Sequence, residues 1–350
     1  MRLTIVAGDT TDVTNLVTSL KWSGSRLQVS RKLEFTLMQD KRDKHIPVIR
    51  VDCGYTVIFY DDVGNNVFEG NIYDLERNRA ESRIKIVAYD HLIVMTRSKT
   101  TRKFTDVLPE EITRQLCREL GVIEGNITET GVKVSFTANN KTGFEIIMMA
   151  YTEAHKKNEK LYHLVMEGPK LNVIEKGSLI DGLVLDSTKN MINSVYKKSI
   201  ESLINQVCVV DEQGNIVSYE KDDESIEANS MFQVTYKIDP NKDTAKEVKA
   251  LLEKNKPQKS GNIIALGDYR ALSSYSITLK DELFTGQFYI KQDTHTFEDG
   301  KHEMNLELEF ENLMNEKELP EEKKKKDKKT GKSRNRNKDK DKKGENNANK

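Results

Sequence analysis

The feature that most constrains this 350-residue chain is a strand–turn–strand pattern that occurs near both of its ends. In the first copy, residues 68–73 (FEGNIY) precede a polar turn and the alternating stretch 84–89 (IKIVAY). In the second, residues 284–289 (FTGQFY) precede a polar turn and the stretch 304–310 (MNLELEF). Such alternation is typical of strands with one buried face. The pattern predicts two similar hairpins in which Gly70 and Gly286 occupy equivalent places, so that three copies of the chain would present six similar units. The shared Phe-x-Gly-x-x-Tyr is also short enough to recur by chance.

The first 100 residues contain short alternating segments separated by polar turns. Residues 16–22 and 33–37 alternate in this way, and the apolar run 57–60 ends in an Asp-, Gly- and Asn-rich segment at 61–66. Asp and Asn tolerate the left-handed backbone conformation and Gly adopts it freely, so this segment is a turn. Several short strands with such turns favour a first small β-barrel over residues 1–100.

Residues 101–180 change to a helical period. Pro109 suits the first turn of a helix, and Gly121 suits its end. Thr142 and Glu145 have the spacing of a capping box, in which each side chain bonds the backbone N–H of the other residue, so a second helix is predicted to begin there. A hairpin follows, and the region is predicted to be an α+β insert.

Residues 181–315 return to short strands. The turn at 211–215 repeats the turn chemistry of the first region, and a capping box from Thr244 to Glu247 predicts a helical insertion near 242–255. The predicted fold class is therefore mainly β with an α+β insert: two small β-barrel domains of similar fold flank an α+β domain.

The last segment, from residue 316 onward, is rich in Lys and Asn. It carries 15 Lys and Arg against 8 Asp and Glu, a net charge of +7, so the preceding residues carry −7 although the chain is neutral. Because it has almost no apolar residues to bury, we expect residues 316–350 to be a disordered basic tail. Binding of nucleic acid or an anionic membrane is the alternative, but the tail lacks interleaved aromatic residues that stack on bases.

Targeting and redox signals are also absent from the sequence. No apolar run approaches the roughly 18–20 residues that a membrane span needs, and the apolar N-terminal stretch breaks at Gly8 too early for a signal peptide. The cysteines Cys53, Cys117 and Cys208 are odd in number and lack CxxC spacing. This pattern favours a reducing compartment and argues against a disulfide framework or a zinc site.

One hairpin holds the best candidates for metal ligands. They are Asp293, His295, Asp299, His302 and Glu303. Carboxylate and imidazole ligands suit Zn²⁺ or Mn²⁺, but the histidines flank a turn rather than sharing a helical i,i+4 spacing. Soluble hairpins often carry such residues, so the structural interpretation is favoured and no metal site is predicted.

Signals for catalysis are weak elsewhere. The motifs HExxH, GxSxG and GxxxxGK[ST] do not occur. His91 ends an apolar strand and is interpreted as structural, and Glu110–Glu111 lies at a predicted helix N-terminus, where the dipole favours acids. The sequence therefore predicts no catalytic, cofactor-binding or metal residue and no enzyme.

A collinear series of segments over roughly residues 10–312 carries a resemblance to a known family. The segments are 13–24, 30–35, 88–92, 145–152, 170–177, 284–290, 293–297, Gly300, His302 and Met304. They resemble the PBSX-type phage tail proteins, which are similar to the baseplate hubs of contractile tails and related in fold to the late control protein D superfamily.

The resemblance implies a structural hub without enzymatic activity, in which a homotrimer with two similar barrels per chain makes a pseudo-six-fold ring. It implies as partners the chain itself, the tail tube protein, the central spike protein and baseplate wedge proteins, and it allows the tape measure protein. No cofactor, membrane or specific nucleic acid is implied. The expected location is an assembled phage tail or a phage-tail-like bacteriocin, made in the bacterial host cytoplasm.

Two other functions remain open at this stage. A tail-associated cell-wall hydrolase predicts a cleft with two carboxylates or a metal. A nucleic-acid-binding protein predicts steeply salt-dependent affinity carried by the basic tail.

We predict that a chain ending at Leu319 keeps the melting temperature of the full-length protein. The physical reason is that the removed residues have no apolar stripe with which to dock on the fold. Differential scanning calorimetry of both forms measures this, and a drop of several degrees in the shorter form would contradict it.

Overall fold

The computed structural model describes residues 1–39, 43, 45–78, 80 and 82–319. Within these residues most elements are strands. The strands are β1 (Arg2–Ala7), β2 (Asp9–Asp12), β3 (Val17–Ser25), β4 (Lys32–Met38), β5 (Thr56–Tyr60), β6 (Asn66–Asn78), β7 (Arg83–Asp90), β8 (Lys99–Val107), β9 (Ile123–Ile127), β10 (Val134–Thr142), β11 (Tyr162–Glu167), β12 (Lys170–Glu175), β13 (Leu179–Asp186), β14 (Met191–Ser199), β15 (Gln206–Val210), β16 (Ile216–Lys221), β17 (Gln233–Lys237), β18 (Gln258–Leu266), β19 (Ser276–Lys280), β20 (Thr285–Glu298) and β21 (Lys301–Glu309). The helices are α1 (Leu92–Arg97), α2 (Pro109–Leu120), α3 (Gly143–Asn158), α4 (Asp223–Asn229) and α5 (Thr244–Lys254), with a 3-10 turn at Thr14–Leu16.

One large sheet contains the strands of both ends of the chain. Its order is β14-β18-β21-β20-β3-β4-β7-β6-β5-β1-β2, and β19 pairs with β20 and β13 as a branch. We call β1–β7 the first barrel unit, and β13, β14 and β18–β21 the second barrel unit. The antiparallel pair of β3 with β20 joins the two units. The fold class predicted from the sequence is confirmed: the protein is mainly β, and its large sheet is curled into a half-barrel.

The core of each barrel unit comes from alternating strand residues. In β4, Leu33, Phe35 and Leu37 are buried, and the residues between them are partly exposed. In β21, Met304, Leu306 and Leu308 follow the same rule. Because side chains of a strand point alternately to its two faces, this pattern dictates which face closes over the core.

The repeat predicted from the sequence exists in the fold. Ile72 of β6 donates its backbone N–H to the residue just before β5, and Ile290 of β20 donates to the residue just before β19, both at 2.9 Å. One residue later each long strand has a register shift, at Tyr73 and at Lys291. β6 and β20 therefore have equivalent positions. Each pairs with one strand only before its bulge, β5 or β19, and with another strand on both sides of the bulge, β7 or β21.

The glycines that suggested the repeat are not equivalent, and that part of the prediction is wrong. In the observed register Gly70 corresponds to Phe288, and Gly286 corresponds to Phe68. Gly70 lies so close to the neighbouring strand that an added Cβ would be 2.1 Å from the carbonyl oxygen of Tyr89, whereas Gly286 has a positive φ of 136°. The alignment of the two units by strand register is thus shifted by two residues from their alignment by sequence motif.

The region between the barrel units has its own apolar core. α2 ends at Gly121 in the left-handed conformation, with φ 68°. At the start of α3, Thr142 Oγ1 accepts the Glu145 N–H at 3.1 Å, and Glu145 Oε2 accepts the Thr142 N–H at 2.8 Å. The predicted helix end and capping box are confirmed. These helices pack with the β8·β10 and β9·β12·β11 sheets around the buried Tyr151.

The second barrel unit carries a larger insertion than the predicted helix. β16, β15 and β17 form a separate sheet that packs with α5 around Val207, Val209 and Val248. The turn at 211–215, which seemed to echo the first barrel, belongs to this small sheet. The predicted Thr244–Glu247 capping box is also wrong, because Asp243 is the N-cap and accepts the N–H groups of the second and third residues of α5's first turn.

After β21 the described chain runs along the region between the barrel units, called the central region below. Met314 is buried in the core of that region, and the Lys317 N–H donates to Thr152 Oγ1 at 3.0 Å. Lys156 also pairs with Glu318 at 2.6 Å. The predicted start of the tail at residue 316 is therefore too early. The disorder predicted for the rest of the tail lies outside the described residues, and the predicted domain boundaries stay a prediction.

No helix in the described ranges is long and apolar enough to cross a membrane. Cys53 is exposed, and Cys117 and Cys208 are buried as free thiols.

We predict that Gly70→Ala destabilises the protein by about 1–3 kcal/mol, because the new methyl group meets rigid backbone of the neighbouring strand. Gly261→Ala is the matched control. The nearest atoms to its added Cβ would belong to side chains, the Phe284 ring at 3.3 Å and Leu308 Cβ at 3.5 Å. Urea unfolding of both variants measures the difference, and equal midpoints would contradict the prediction.

Candidate functional site at the junction of the barrel units

The strand pair that joins the two barrel units is the most connected polar site in the fold. Residues 20–25 of β3 pair antiparallel with residues 292–297 of β20. Trp22 lies directly opposite His295, and Gly24 lies opposite Asp293. One face of this pair is buried, and on it the two halves of the chain bring charged and aromatic side chains together.

A buried ion pair crosses the junction. The guanidinium of Arg31, just before β4, donates Nη1 to Asp293 Oδ1 at 3.0 Å and Nη2 to Asp293 Oδ2. The Ser273 N–H donates to the same carboxylate at 2.7 Å. Gly24 leaves room for the guanidinium, since a Cβ there would be 2.4 Å from Nη1. Two-point contact of this kind orients the pair as well as holding it.

Two histidines continue the network. His295 Nε2 lies 3.2 Å from the carbonyl oxygen of Ala271, and His295 Nδ1 lies 3.0 Å from His302 Nε2. A carbonyl oxygen only accepts, so His295 carries a proton on Nε2. When both rings are neutral, as their lowered pKa values favour, His295 Nδ1 accepts the Nε2–H of His302.

Aromatic rings enclose the histidines. The Trp22 ring centroid is 5.2 Å from that of His295, and Arg31 lies over the Trp22 ring at 4.2 Å. Phe297 stacks on His302 with centroids 4.1 Å apart. Burial lowers the pKa of each histidine from 6.5 to about 4. Desolvation is the main cause, because a low-dielectric environment disfavours the charged imidazolium.

The metal candidates are only partly brought together. Asp293, His295 and His302 meet at the junction, but the carboxylate of Asp293 is engaged by Arg31. Asp299 lies in the turn with a positive φ of 49°, and Glu303 is exposed on the opposite face from His302. Among the described residues no cluster of three or more His, Cys, Asp or Glu has metal-site geometry. The arrangement is that of a structural polar core.

The sequence did not identify Arg31 as a member of this site. Its partner Asp293 is 262 positions away, and no local pattern connects them. The sole tryptophan, Trp22, was a visible signal, because a lone Trp in an alternating strand often marks a large buried contact.

A second polar cluster ties the central region to both barrel units. Arg26, after β3, donates to Glu309 Oε1 at 3.0 and 2.7 Å. The buried Lys176, after β12, donates to Asn312 Oδ1 at 2.9 Å and lies 4.0 Å from Glu309. Burial lowers the pKa of Lys176 to about 8. Residues from all three regions therefore meet around one carboxylate.

The other polar candidates make local contacts. His91 lies just before α1 with Nε2 3.9 Å from Glu69. Glu110 is buried and accepts the hydroxyl of Thr130 at 2.9 Å, and Glu111 accepts the N–H of the α2 N-cap residue at 3.3 Å. Their structural interpretation stays a prediction.

Comparison with known proteins decides the family. The YQBQ-like family matches residues 20–309, which run from β3 of the first barrel unit through the region between the units to the end of the second. The chain belongs to the YQBQ-like family. The match begins within β3 and ends with β21, so it spans the junction strands on both sides.

The chain is similar to the phage-like element PBSX protein XkdQ of Bacillus subtilis. The two are 23% identical over 310 residues, which cover 85% of this chain and 94% of that protein. The resemblance to PBSX-type tail proteins inferred from the sequence is confirmed.

Solved structures show the same fold at lower identity. The 43 kDa tail protein of prophage MuSo2 from Shewanella oneidensis has a TM-score of 0.66 and 13% identity, over 88% of this chain and 97% of that one. The c3393 protein of E. coli has a TM-score of 0.51 and 10% identity, over 83% of this chain and 73% of that one. It is described as a type VI secretion component with structural similarity to the T4 tail proteins gp27 and gp5.

We predict that the free energy of unfolding falls as the pH is lowered from about 7 to 5. Both histidines stay neutral in the folded state, whereas the unfolded chain takes up protons below its usual pKa of 6.5, so acid favours unfolding. His302→Gln, whose amide donates the same hydrogen bond without titrating, should reduce the fall by on the order of 1 kcal/mol.

Urea unfolding at each pH measures the effect, and the exposed His45→Gln is the control. The difference between variant and wild type cancels the titration of the remaining groups. An unchanged pH slope in His302→Gln would show that this histidine is not held neutral.

Proposed function

We propose that this chain is a structural phage-tail protein that forms the hub of a contractile-tail baseplate. In this role it joins a hexameric tail tube to a trimeric central spike, and baseplate wedge proteins surround it. The observation that carries the proposal is the pair of barrel units with matching bulges, found in a chain of the YQBQ-like family.

The names of the relatives support a tail protein. The Bacillus relative belongs to a phage-like element, and the Shewanella structure is a prophage tail protein. Both align with nearly the whole described body, so the likeness extends to the arrangement of the units. Residence in an assembled phage tail or tailocin, after synthesis in the host cytoplasm, belongs to this proposal.

Symmetry supports the hub in particular. A six-fold tube offers six equivalent contacts, and a three-fold spike offers three. A chain with two similar barrel units converts one into the other when it assembles as a homotrimer. The second polar cluster holds the central region to both units, so each unit keeps a defined orientation within the chain.

We propose a structural rather than an enzymatic role. At the junction the Asp293 carboxylate is bonded to Arg31, and His295 is bonded to His302. The alternative of a tail-associated cell-wall hydrolase predicts clearing of peptidoglycan in a zymogram. The less favoured nucleic-acid-binding alternative predicts affinity that falls steeply with salt and depends on residues 320–350.

We predict that a cryo-EM map of the assembled particle contains three copies of this chain at the contact between tube and spike. The six barrel units should form a pseudo-six-fold ring there, because their strand orders are alike. A map with one or six copies in that ring, or with the chain elsewhere in the particle, would contradict the proposal.

A further inference from the structure

The internal repeat extends to two more strands. β3 pairs with β4 so that Trp22 lies opposite Leu33, and β14 pairs with β18 so that Tyr196 lies opposite Gly261. Each of these strands has a register shift four residues before that aromatic residue, at Thr18 and at Ile192. β14 is therefore the counterpart of β3 in the second barrel unit, with Tyr196 in the place of Trp22.

The counterparts differ in what covers them. β3 pairs with β4 on one side and with β20 on the other, and Trp22 is 1% exposed. β14 pairs with β18 on one side and, in the described part of the chain, with no strand on the other. Its apolar residues stay accessible: Ile192 is 54%, Val195 50% and Tyr196 38% exposed. An accessible apolar edge strand is a template for pairing with another chain.

The strand that would complete this edge is also present. The β3–β20 pair within one chain is called the cis junction, and a corresponding pair between two copies is called a trans junction. In the cis junction, β3 pairs with the half of β20 that follows the Lys291 bulge. The counterpart of that half is Asp74–Arg77 of β6, after the Tyr73 bulge. Among the described residues this segment pairs with β7 on one side and with no strand on the other.

We propose that β14 of one copy pairs antiparallel with the second half of β6 in the next copy. The partner is a second copy of this chain because the counterparts of both strands of the β3–β20 pair occur in the same molecule, each with one edge that no described strand pairs. Transfer of the cis register places Lys197 opposite Glu76, Tyr196 opposite Arg77, and Ser199 opposite Asp74.

Charge supports this register. On the outward face, exposed Lys197 meets exposed Glu76, and Asp74 is a diagonal neighbour. Opposite charges directly across an antiparallel pair are stabilising, and like charges are destabilising. On the inner face Tyr196 lies opposite Arg77, a cation–aromatic pairing in the place where Trp22 lies opposite His295 within the chain. Within its own chain, Arg77 Nη2 also donates to the Val51 carbonyl oxygen at 2.6 Å.

The buried ion pair of the cis junction is not repeated. Leu75 takes the place of Asp293, and exposed Lys259 takes the place of Arg31. The proposed contact therefore buries no charge pair, which suits a strand edge that must remain soluble before assembly.

The contact is heterologous, so repetition produces a ring or a filament according to the rotation at each step. Closure after three copies rests on the proposed hub function. In that ring cis and trans junctions alternate, and a single continuous strand order passes through all six barrel units.

Cysteine cross-linking in purified assembled particles tests the register. The double variant Glu76→Cys with Lys197→Cys is made in a Cys53→Ser background, which removes the exposed native thiol. Directly opposed strand residues have Cα atoms about 4.5–5.5 Å apart, within disulfide range. Mild oxidation should give covalent dimers and trimers on a non-reducing gel.

Matched controls test other strand pairings of β14. Thr11→Cys with Lys197→Cys tests pairing of β14 with β2, the strand at the opposite end of the sheet order, and should give monomers. Lys197→Cys alone should also give monomers. Dimers of this variant would indicate that β14 of one chain pairs with β14 of another. Cross-linking in either control, or none in the test variant, overturns the proposal.

Charge reversal gives a second readout that needs no thiol. Glu76→Lys and Lys197→Glu should each reduce the yield of particles on the order of ten-fold, since every trans junction acquires a like-charge pair, and the double reversal should restore it. Failure of the double reversal to restore the yield overturns the register. A hub map with three copies but no cross-link would reject this contact alone, whereas a map without three copies would reject the hub function.

Discussion

The antiparallel contact between β3 and β20 is the interaction on which the rest of the structure depends. It makes one continuous sheet from strands that lie at opposite ends of the chain. The Arg31–Asp293 ion pair and the two neutral histidines lie on its buried face. Removing one partner of such a buried pair typically costs about 3–5 kcal/mol, because the other charge is left without compensation. The contact therefore holds the orientation of the two barrel units as well as their proximity.

The duplication explains why this contact has consequences beyond one chain. Each barrel unit contains a long strand with a bulge and an outer strand with its own bulge, and the spacings agree residue by residue. The junction within the chain uses one strand from each unit. Their counterparts, β14 and Asp74–Arg77 of β6, each pair with a strand on one side and, among the described residues, with no strand on the other. A duplicated unit inside one chain thus carries both an internal joint and the two halves of an external one.

Local features were predictable from the sequence. The capping box at Thr142, the helix end at Gly121 and the alternating strands all depend on neighbours within a few positions. The equivalence of Gly70 and Gly286 was wrong because identical letters do not specify register. Bulges at Tyr73 and Lys291 decide the register, and they depend on partner strands. The turn at 211–215 shares its Asp, Gly and Asn with the turn at 61–66 of the first barrel unit but belongs to the inserted sheet, because the same turn chemistry occurs in any hairpin.

The sequence alone determined the class of the fold, the order of its regions and its family resemblance, because periodicity and turn chemistry are written in short stretches of chain. Only the tertiary structure decided that His295 and His302 are neutral members of a buried network, since a pKa depends on what surrounds the ring. It also decided that Arg31 pairs with Asp293 and that Trp22 is covered while Tyr196 is not. Those outcomes arise from contacts between residues hundreds of positions apart, which no local pattern encodes.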